Sequence, residues 1–592
     1  MSIKMKALLV FSLSFLLGYS CFCQEKQMDK MWDGGAGAGR SDTSRGKIFR
    51  EGRYAMFIHF GLYARLENRW KGKTYYGIGE WLMHKAMANI SVEAYRKVAA
   101  DFNPVNFNAD EIVAMAKSAG MKYIIITSKH HDGFALFHSK FSAFNIYDAT
   151  PFKRDLMKEM AVACKKAGLG FGFYYSQTQD WSTPGGNNGP EKDEQSKMVT
   201  FDEYFNNRCL PEVNQLTTEY GPITLIWFDT PNGINKEYSR KLVDIVHKNQ
   251  PQAYVSGRVG NGLGDYATLG DMEVPLQNTP GLWETVDVTN DSWGFAWYDK
   301  NWKSPKEILT RTLSTIARGG NFMLNVGPRG DGSIPIEAAL SLKSSGGWIR
   351  KYPQTVYGAS RSPWQHALPW GDATVRGRTI SLLVYNWPAT GRLYLHGLES
   401  KIESVVLLIA GKRQVLSYTN KNKWLVINVP YRSPEQWVSV LEVTVKDEPR
   451  ADATQFLDPQ GATELYTEFA DTDKSVKKNH SWMEKFGEWK HATVVRQWQP
   501  GGKASWKVKV GEPGYYQTYL KYAGEGRLVW KIQTDKGELV QNQQSSSAVY
   551  SYYPMGWLHF DKPGEYIISV SPEEGDTGKA SLIALMLERV IL

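Results

Sequence analysis

Between about Lys47 and Gly346, apolar β-type runs alternate with amphipathic helical patterns, and this alternation limits the fold more than any other feature. Residues 54–59, 121–127, 169–175, 223–229, 253–258 and 320–326 read as strands. Residues 108–119, 155–167, 201–220, 236–249 and 304–317 read as helices. Asp110 and Glu111 sit in the first turn of one helix, where acids suit the dipole, and Gly168 stops the next. Strand and helix in turn over roughly 300 residues predict a parallel sheet, and that length suits a barrel. A doubly wound open sheet is the competing topology, but no Gly-rich phosphate loop follows the early strands.

The pattern changes near Pro353. Short alternating segments follow at 379–385, 404–409 and 424–429, and again at 504–510, 515–522 and 566–570. A chain of 592 residues is too long for one core. The expected class is α/β: a (β/α)8-like (TIM-type) catalytic barrel followed by two β-sandwich domains. The barrel is placed at 24–352, a small antiparallel β-sandwich at 353–447 and an additional β-sandwich at 460–592. A polar linker with two prolines lies between the last two. Trp506, Tyr515, Tyr516 and Tyr519 make the last domain a candidate carbohydrate-binding module; the plainer reading is that these aromatics are sandwich core.

Lys4 and Lys6 precede an apolar run from Ala7 to Leu17, the layout of a secretory signal peptide over 1–23. Export to the periplasm or the exterior is expected. Lipidation of Cys21 is the weaker alternative, because Tyr19 is bulky for a lipobox. Cleavage near Cys23 leaves Cys164 and Cys209, too few for a disulfide framework. No later segment is apolar enough to span a membrane. The net charge is +9 with both signs interspersed, which gives no basis for nucleic-acid binding. Aromatic residues make up 13%, a richness that suits sugar stacking.

The strands end on polar groups. His59, the run Thr127–Asp132, Tyr174 to Ser176, Asp229 and Arg258 all lie at strand C-termini, which in a barrel collect into one pocket. The apolar strand ending on Trp227-Phe228-Asp229 is the sharpest case. Adjacent His130 and His131 do not match the spacings that set metal ligands on one face, so no metal is expected. No other cofactor is implied. Ser176 and Ser256 lack a nucleophile elbow. Two carboxylates remain: Asp229 ionised beside Arg258 and histidines, and a protonated partner on a later loop, either Glu273 or Glu284.

The segments Met56-Phe-Ile-His59-Phe-Gly-Leu-Tyr63, Gly79-Glu80-Trp81, Ser128-Lys-His130-His131-Asp-Gly-Phe134, Phe173-Tyr-Tyr-Ser176, Ile226-Trp-Phe-Asp229 and Gly320-Asn-Phe-Met-Leu-Asn-Val326 resemble the α-L-fucosidases of glycoside hydrolase family 29. The resemblance covers about residues 47–346. It implies an exo-acting retaining hydrolase that releases terminal α-L-fucose from fucosylated oligosaccharides through a fucosyl-Asp229 intermediate. It further implies that His59, Glu80, Trp81, His130, His131, Tyr175 and Arg258 hold the sugar or support the nucleophile, and that Trp293 lines the sugar methyl. Tyr175 is chosen over Tyr174 because it shares a strand face with Phe171 and Phe173. One family string for the acid has its counterpart in Asp265-Tyr-Ala-Thr-Leu-Gly270, but glycine stands at the acid's place, so Glu273 is preferred and Glu284 kept as the alternative. Two other readings are a carbohydrate-binding protein on a degenerate barrel and a sister activity such as α-L-galactosidase.

Overall fold

The computed structural model describes residues 44–409, 411–482 and 490–590. The signal peptide read at 1–23, Cys21 included, lies outside the described residues. Eight strands form one sheet: β1 (Tyr54–Ile58), β2 (Tyr123–Lys129), β3 (Gly170–Ser176), β4 (Leu225–Asp229), β5 (Tyr254–Val255), β6 (Ala267–Thr268), β7 (Trp283–Val288) and β8 (Asn321–Val326). Their order is β5-β4-β3-β2-β1-β8-β7-β6, and every pairing is parallel. A parallel bridge between Ser256 and Tyr266 joins the two ends of that order, with the Asp265 amide donating to the Val255 carbonyl at 2.8 Å beside it. The sheet is thus the TIM-like barrel of the predicted class, with helices as crossovers.

The strands are buried almost throughout, as parallel strands covered on both faces must be. Alternation sorts their side chains into two cores. Ala55, Phe57, Tyr123, Ile125, Tyr174, Leu225, Trp227, Val286 and Met323 fill the lumen. Met56, Ile58, Ile124, Ile126, Phe171, Phe173, Tyr175, Ile226 and Phe228 pack outward under the helices. The helices start on sequence signals. Asn108 and Asp155 cap theirs through the side chain, and Ser304 with Glu307 forms a capping box ahead of Pro305–Ala317.

Two barrel strands escaped the sequence reading. β6 is only two residues long. β7 is wholly buried yet carries Glu284 and Asp287, whose charges break the apolar signal. Glu284, read as a loop acid, is a strand residue inside the barrel.

Beyond the barrel, a five-stranded and a three-stranded antiparallel sheet occupy Gly371–Arg376 to Ser439–Val445 around their own core. Two six-stranded sheets between Gln455–Leu457 and Ser581–Arg589 enclose another. Gln455–Leu457, assigned to the linker from sequence, pairs parallel with Lys503–Val510. Trp506 and Tyr516 are core residues of this last domain, whereas Tyr515 is exposed. Cys164 and Cys209 are buried free thiols. Among the described residues, no helix is long and apolar enough to cross a membrane.

Candidate active site

A pocket opens at the C-terminal ends of the barrel strands. It is lined by Phe57, His59, Ile78, Glu80, Trp81, His130, His131, Trp227, Asp229, Thr230, Arg258, Asp271 and Trp293. Strand parity explains its floor, because Phe57, Tyr174 and Trp227 all point into the lumen. The Trp227 ring stacks on Tyr174 with centroids 5.6 Å apart and meets Phe57 edge-on at 5.2 Å. His130 stacks parallel to Tyr174 at 5.0 Å.

Asp229 ends β4 on the same parity as Trp227. Its Oδ1 accepts from Arg258 Nη1 at 2.9 Å, and its Oδ2 accepts from the Tyr174 hydroxyl at 2.9 Å. Burial alone would raise its pKa. The Arg258 guanidinium and these hydrogen bonds outweigh burial and hold it below the ordinary carboxylate value. Asp229 is therefore ionised at neutral pH.

Arg258 reaches two acids at once. Its Nη1 serves Asp229 and its Nη2 donates to Asp271, while the guanidinium lies 4.5 Å above the Trp227 ring. Asp271 lines the pocket from the loop after β6. Burial raises its pKa to about 6 against the lowering pull of Arg258, and the Asp229 charge adds to the rise. Each acid is followed by a non-glycine residue in the left-handed region, Thr230 at φ 49° and Met272 at φ 62°. The backbone thus turns away directly after each carboxylate, leaving the acid at the rim of the turn.

The remaining groups converge from separate elements. His59 places Nδ1 2.8 Å from Asn325 Oδ1, and His131 places Nδ1 2.6 Å from the Ser176 hydroxyl. Burial lowers both pKa values to about 4, and that of His130 also falls, so the three imidazoles are neutral at pH 7. The His131–Asp229 contact at 3.6 Å is accordingly a polar contact rather than an ion pair. Glu80 accepts from the Gly294 amide at 2.8 Å, and burial raises its pKa to about 8. A Cβ on Gly79 would meet the Gly294 carbonyl at 2.8 Å, so the close approach that seats Glu80 requires glycine. Trp293 packs against His59 with centroids 5.1 Å apart.

His130, His131 and Asp229 offer ligand atoms within 4.8 Å of one another. Both Asp229 oxygens already accept hydrogen bonds, one of them from a guanidinium that would repel a dication. The donor set fits a polar ligand better than a metal ion.

The structure brings together His59, Glu80, Trp81, His130, His131, Asp229, Arg258 and Trp293 from the sequence reading. Three of its choices lie elsewhere. Tyr175 does share a face with Phe171 and Phe173, but that face is the outward one. Its hydroxyl donates to buried Glu212 at 2.6 Å, and of the two tyrosines it is Tyr174 that faces the lumen. Glu273 folds back so that Oε2 accepts from the Gly270 amide at 3.1 Å, and it does not line the pocket. Glu284 lies fully buried beneath the floor, where its Oε1 accepts from the Trp227 indole and from the Tyr266 hydroxyl. The sequence reading names only the glutamates at 273 and 284, whereas Asp271 lines the pocket. Its signal was its place two residues closer to Arg258 than Glu273.

A family model described as alpha-L-fucosidase matches residues 38–354. The chain is 26% identical over 431 residues to a plasma alpha-L-fucosidase of Rattus norvegicus, covering 67% of this chain and 90% of that one. It is 25% identical over 417 residues to an alpha-L-fucosidase of Dictyostelium discoideum, covering 65% and 88%. A solved alpha-L-fucosidase from Vibrio sp. strain EJY3 superposes with a TM-score of 0.75 at 28% identity, covering 93% of this chain and 98% of that one. A second, isoenzyme 1 from Paenibacillus thiaminolyticus, gives 0.60 at 28% identity over 68% of this chain and 99% of its own.

Proposed function

The chain belongs to the alpha-L-fucosidase family, and on that premise we propose a retaining mechanism in which Asp229 is the nucleophile and Asp271 the acid and base. Asp229 attacks the anomeric carbon of a terminal α-L-fucose and forms a β-linked fucosyl ester. Asp271 gives its proton to the departing glycan oxygen. It then takes a proton from the water that releases fucose with retained configuration.

One observation carries this reading: a single guanidinium holds an ionised carboxylate by one nitrogen and a carboxyl of raised pKa by the other, inside one pocket. The unequal pKa values support these roles, because a retaining pair needs one acid charged and the other protonated. Glu80 also has a raised pKa, but its carboxyl is tied to the Gly294 amide, which suits holding a sugar hydroxyl. Neutral His59, His130 and His131 supply further hydroxyl partners, and Trp293 offers an apolar wall for the 6-methyl group. That wall favours fucose over α-L-galactose, whose 6-hydroxyl would be left unpaired against it. Tyr174 steadies Asp229 from the side opposite Arg258.

Azide distinguishes the two roles. In Asp271→Ala, azide should attack the fucosyl-enzyme and give α-fucosyl azide. In Asp229→Ala, hydrolysis should fall to background and azide should give the β-anomer from an activated fucoside. If azide rescues Glu80→Ala with α-product and leaves Asp271→Ala unaffected, Asp271 is not the acid.

A further inference from the structure

We propose that the last β-sandwich domain positions the acid of the barrel: its Thr467–Phe469 turn braces the loop that carries Asp271. This rests on the reading of Asp271 as the acid. The loop runs from Leu269 to Gly281. Its near end is tied to the barrel, since the Met272 amide donates to the Val286 carbonyl at 2.8 Å and Arg311 donates to the Met272 carbonyl. Its far end is tied to the segment between the barrel and the middle domain. The Asn278 side chain donates to the Ser362 and Trp364 carbonyls at 2.9 and 3.0 Å, and Gln277 forms an antiparallel bridge with His366.

The last domain meets the loop at this far end. The Phe469 ring lies edge-on to His366, with centroids 5.7 Å apart. Glu468 sits beside it with a raised pKa. Burial is the main cause and the Glu273 carboxylate adds to it, while Lys477 and a hydrogen bond to Gln277 pull the other way. The turn that presents these two residues is hydrogen-bonded into its own domain. The buried Thr467 hydroxyl lies 2.7 and 2.9 Å from the Thr493 and Ile583 carbonyls, which share its one proton, and the Trp506 indole donates to the Tyr466 carbonyl at 2.8 Å. The turn therefore bears on His366, the bridge partner of Gln277, which lies in the same loop as Asp271. Asp229 has no such support and needs none, because it ends a barrel strand.

A brace of this kind acts through Asp271, and kcat/KM, which extends only to the fucosyl-enzyme, reads its acid role alone. Loss of the acid's alignment matters for a poor leaving group, which needs a proton, and not for a dinitrophenyl group, which departs without one. In the full-length enzyme, Phe469→Ala should lower kcat/KM for phenyl fucoside by about 10- to 100-fold and leave dinitrophenyl fucoside nearly untouched. Phe469→Tyr should restore the phenyl rate. Gln277→Ala, at an exposed position on the barrel side, should show the same split and serves if Phe469→Ala does not fold. Equal loss on both substrates, or no loss on either, overturns the brace. Asp271→Ala is the control. If it fails to separate the two substrates, the acid assignment itself is wrong. If it separates them and Phe469→Ala and Gln277→Ala do not, only the brace falls.

Discussion

The barrel interior has two levels that share a chemistry and differ in access. In the upper level Asp271 faces the pocket beside Arg258; in the lower level Glu284 is enclosed with Trp227 and Tyr266. Both carboxyls have raised pKa values, to about 6 and about 7, and burial is the leading cause in each. Trp227 separates them. Its ring lines the pocket, and its indole N–H points at Glu284. A raised carboxyl pKa in this barrel therefore records burial. Only the group that a substrate oxygen can reach can turn that proton to catalysis.

The largest expected effect breaks the pair apart. Asp271→Ala should lower kcat/KM for phenyl fucoside by about 10²- to 10⁴-fold, the range for removing a positioned general acid. Glu284→Gln preserves the shape and both hydrogen bonds to its oxygen, so turnover per folded molecule should stay at the wild-type level. Steady-state kinetics on the two variants, scaled by active-site titration, decide it. A large kinetic defect in Glu284→Gln would erase the distinction between the levels.

The same two levels show why some residues were legible in the sequence and others were not. Asp229 and His59 were readable because each stands at the end of an apolar run whose parity fixes its direction; Arg258, read at a strand end, stands in the short 3-10 turn Gly257–Val259 that follows β5. Tyr175 misled because parity gives a strand two faces without saying which one faces the lumen. Only the ring of neighbours, with Ala55, Phe57 and Trp227 inside and Phe171 and Phe173 outside, breaks that symmetry. Glu284 was unreadable because an acid in a fully buried strand looks like a loop acid until Trp227 and Tyr266 are seen to satisfy it. Asp271 depends on a loop whose course is set by contacts with residues up to about Arg311 and beyond, which no local pattern encodes.

A second effect, of intermediate size, tests that parity. Tyr174→Phe removes a hydrogen bond to the charged form of Asp229 and should lower kcat by about 10- to 100-fold, the equivalent of about 1.5–3 kcal/mol. It should also move the acidic limb of the pH profile upward, since the Tyr174 bond is one of the interactions that hold the Asp229 pKa down. Tyr175→Phe leaves the pocket intact and strands one oxygen of buried Glu212, so its cost should appear in thermal stability with kcat unchanged. The reverse outcome would mean that the lumen face has been misassigned.

The smallest effect concerns the lower level alone and is read in stability. Folding raises the Glu284 pKa from 4.5 to about 7, so the folded state binds this proton more tightly than the unfolded chain does. The stability from that proton is complete below the unfolded value of 4.5 and is lost as pH rises through about 7. Glutamine cannot titrate, so Glu284→Gln should lose less stability than wild type between pH 5 and pH 7, by about 1–2 kcal/mol. Glu80, Asp132 and Asp271 also have raised values and push both proteins in the same direction, so they cancel in the difference. Urea unfolding of the two proteins at the two pH values gives the comparison. Parallel stability changes would show that Glu284 keeps its charge in the folded barrel, and the lower level would then differ from the upper one in chemistry as well as in access.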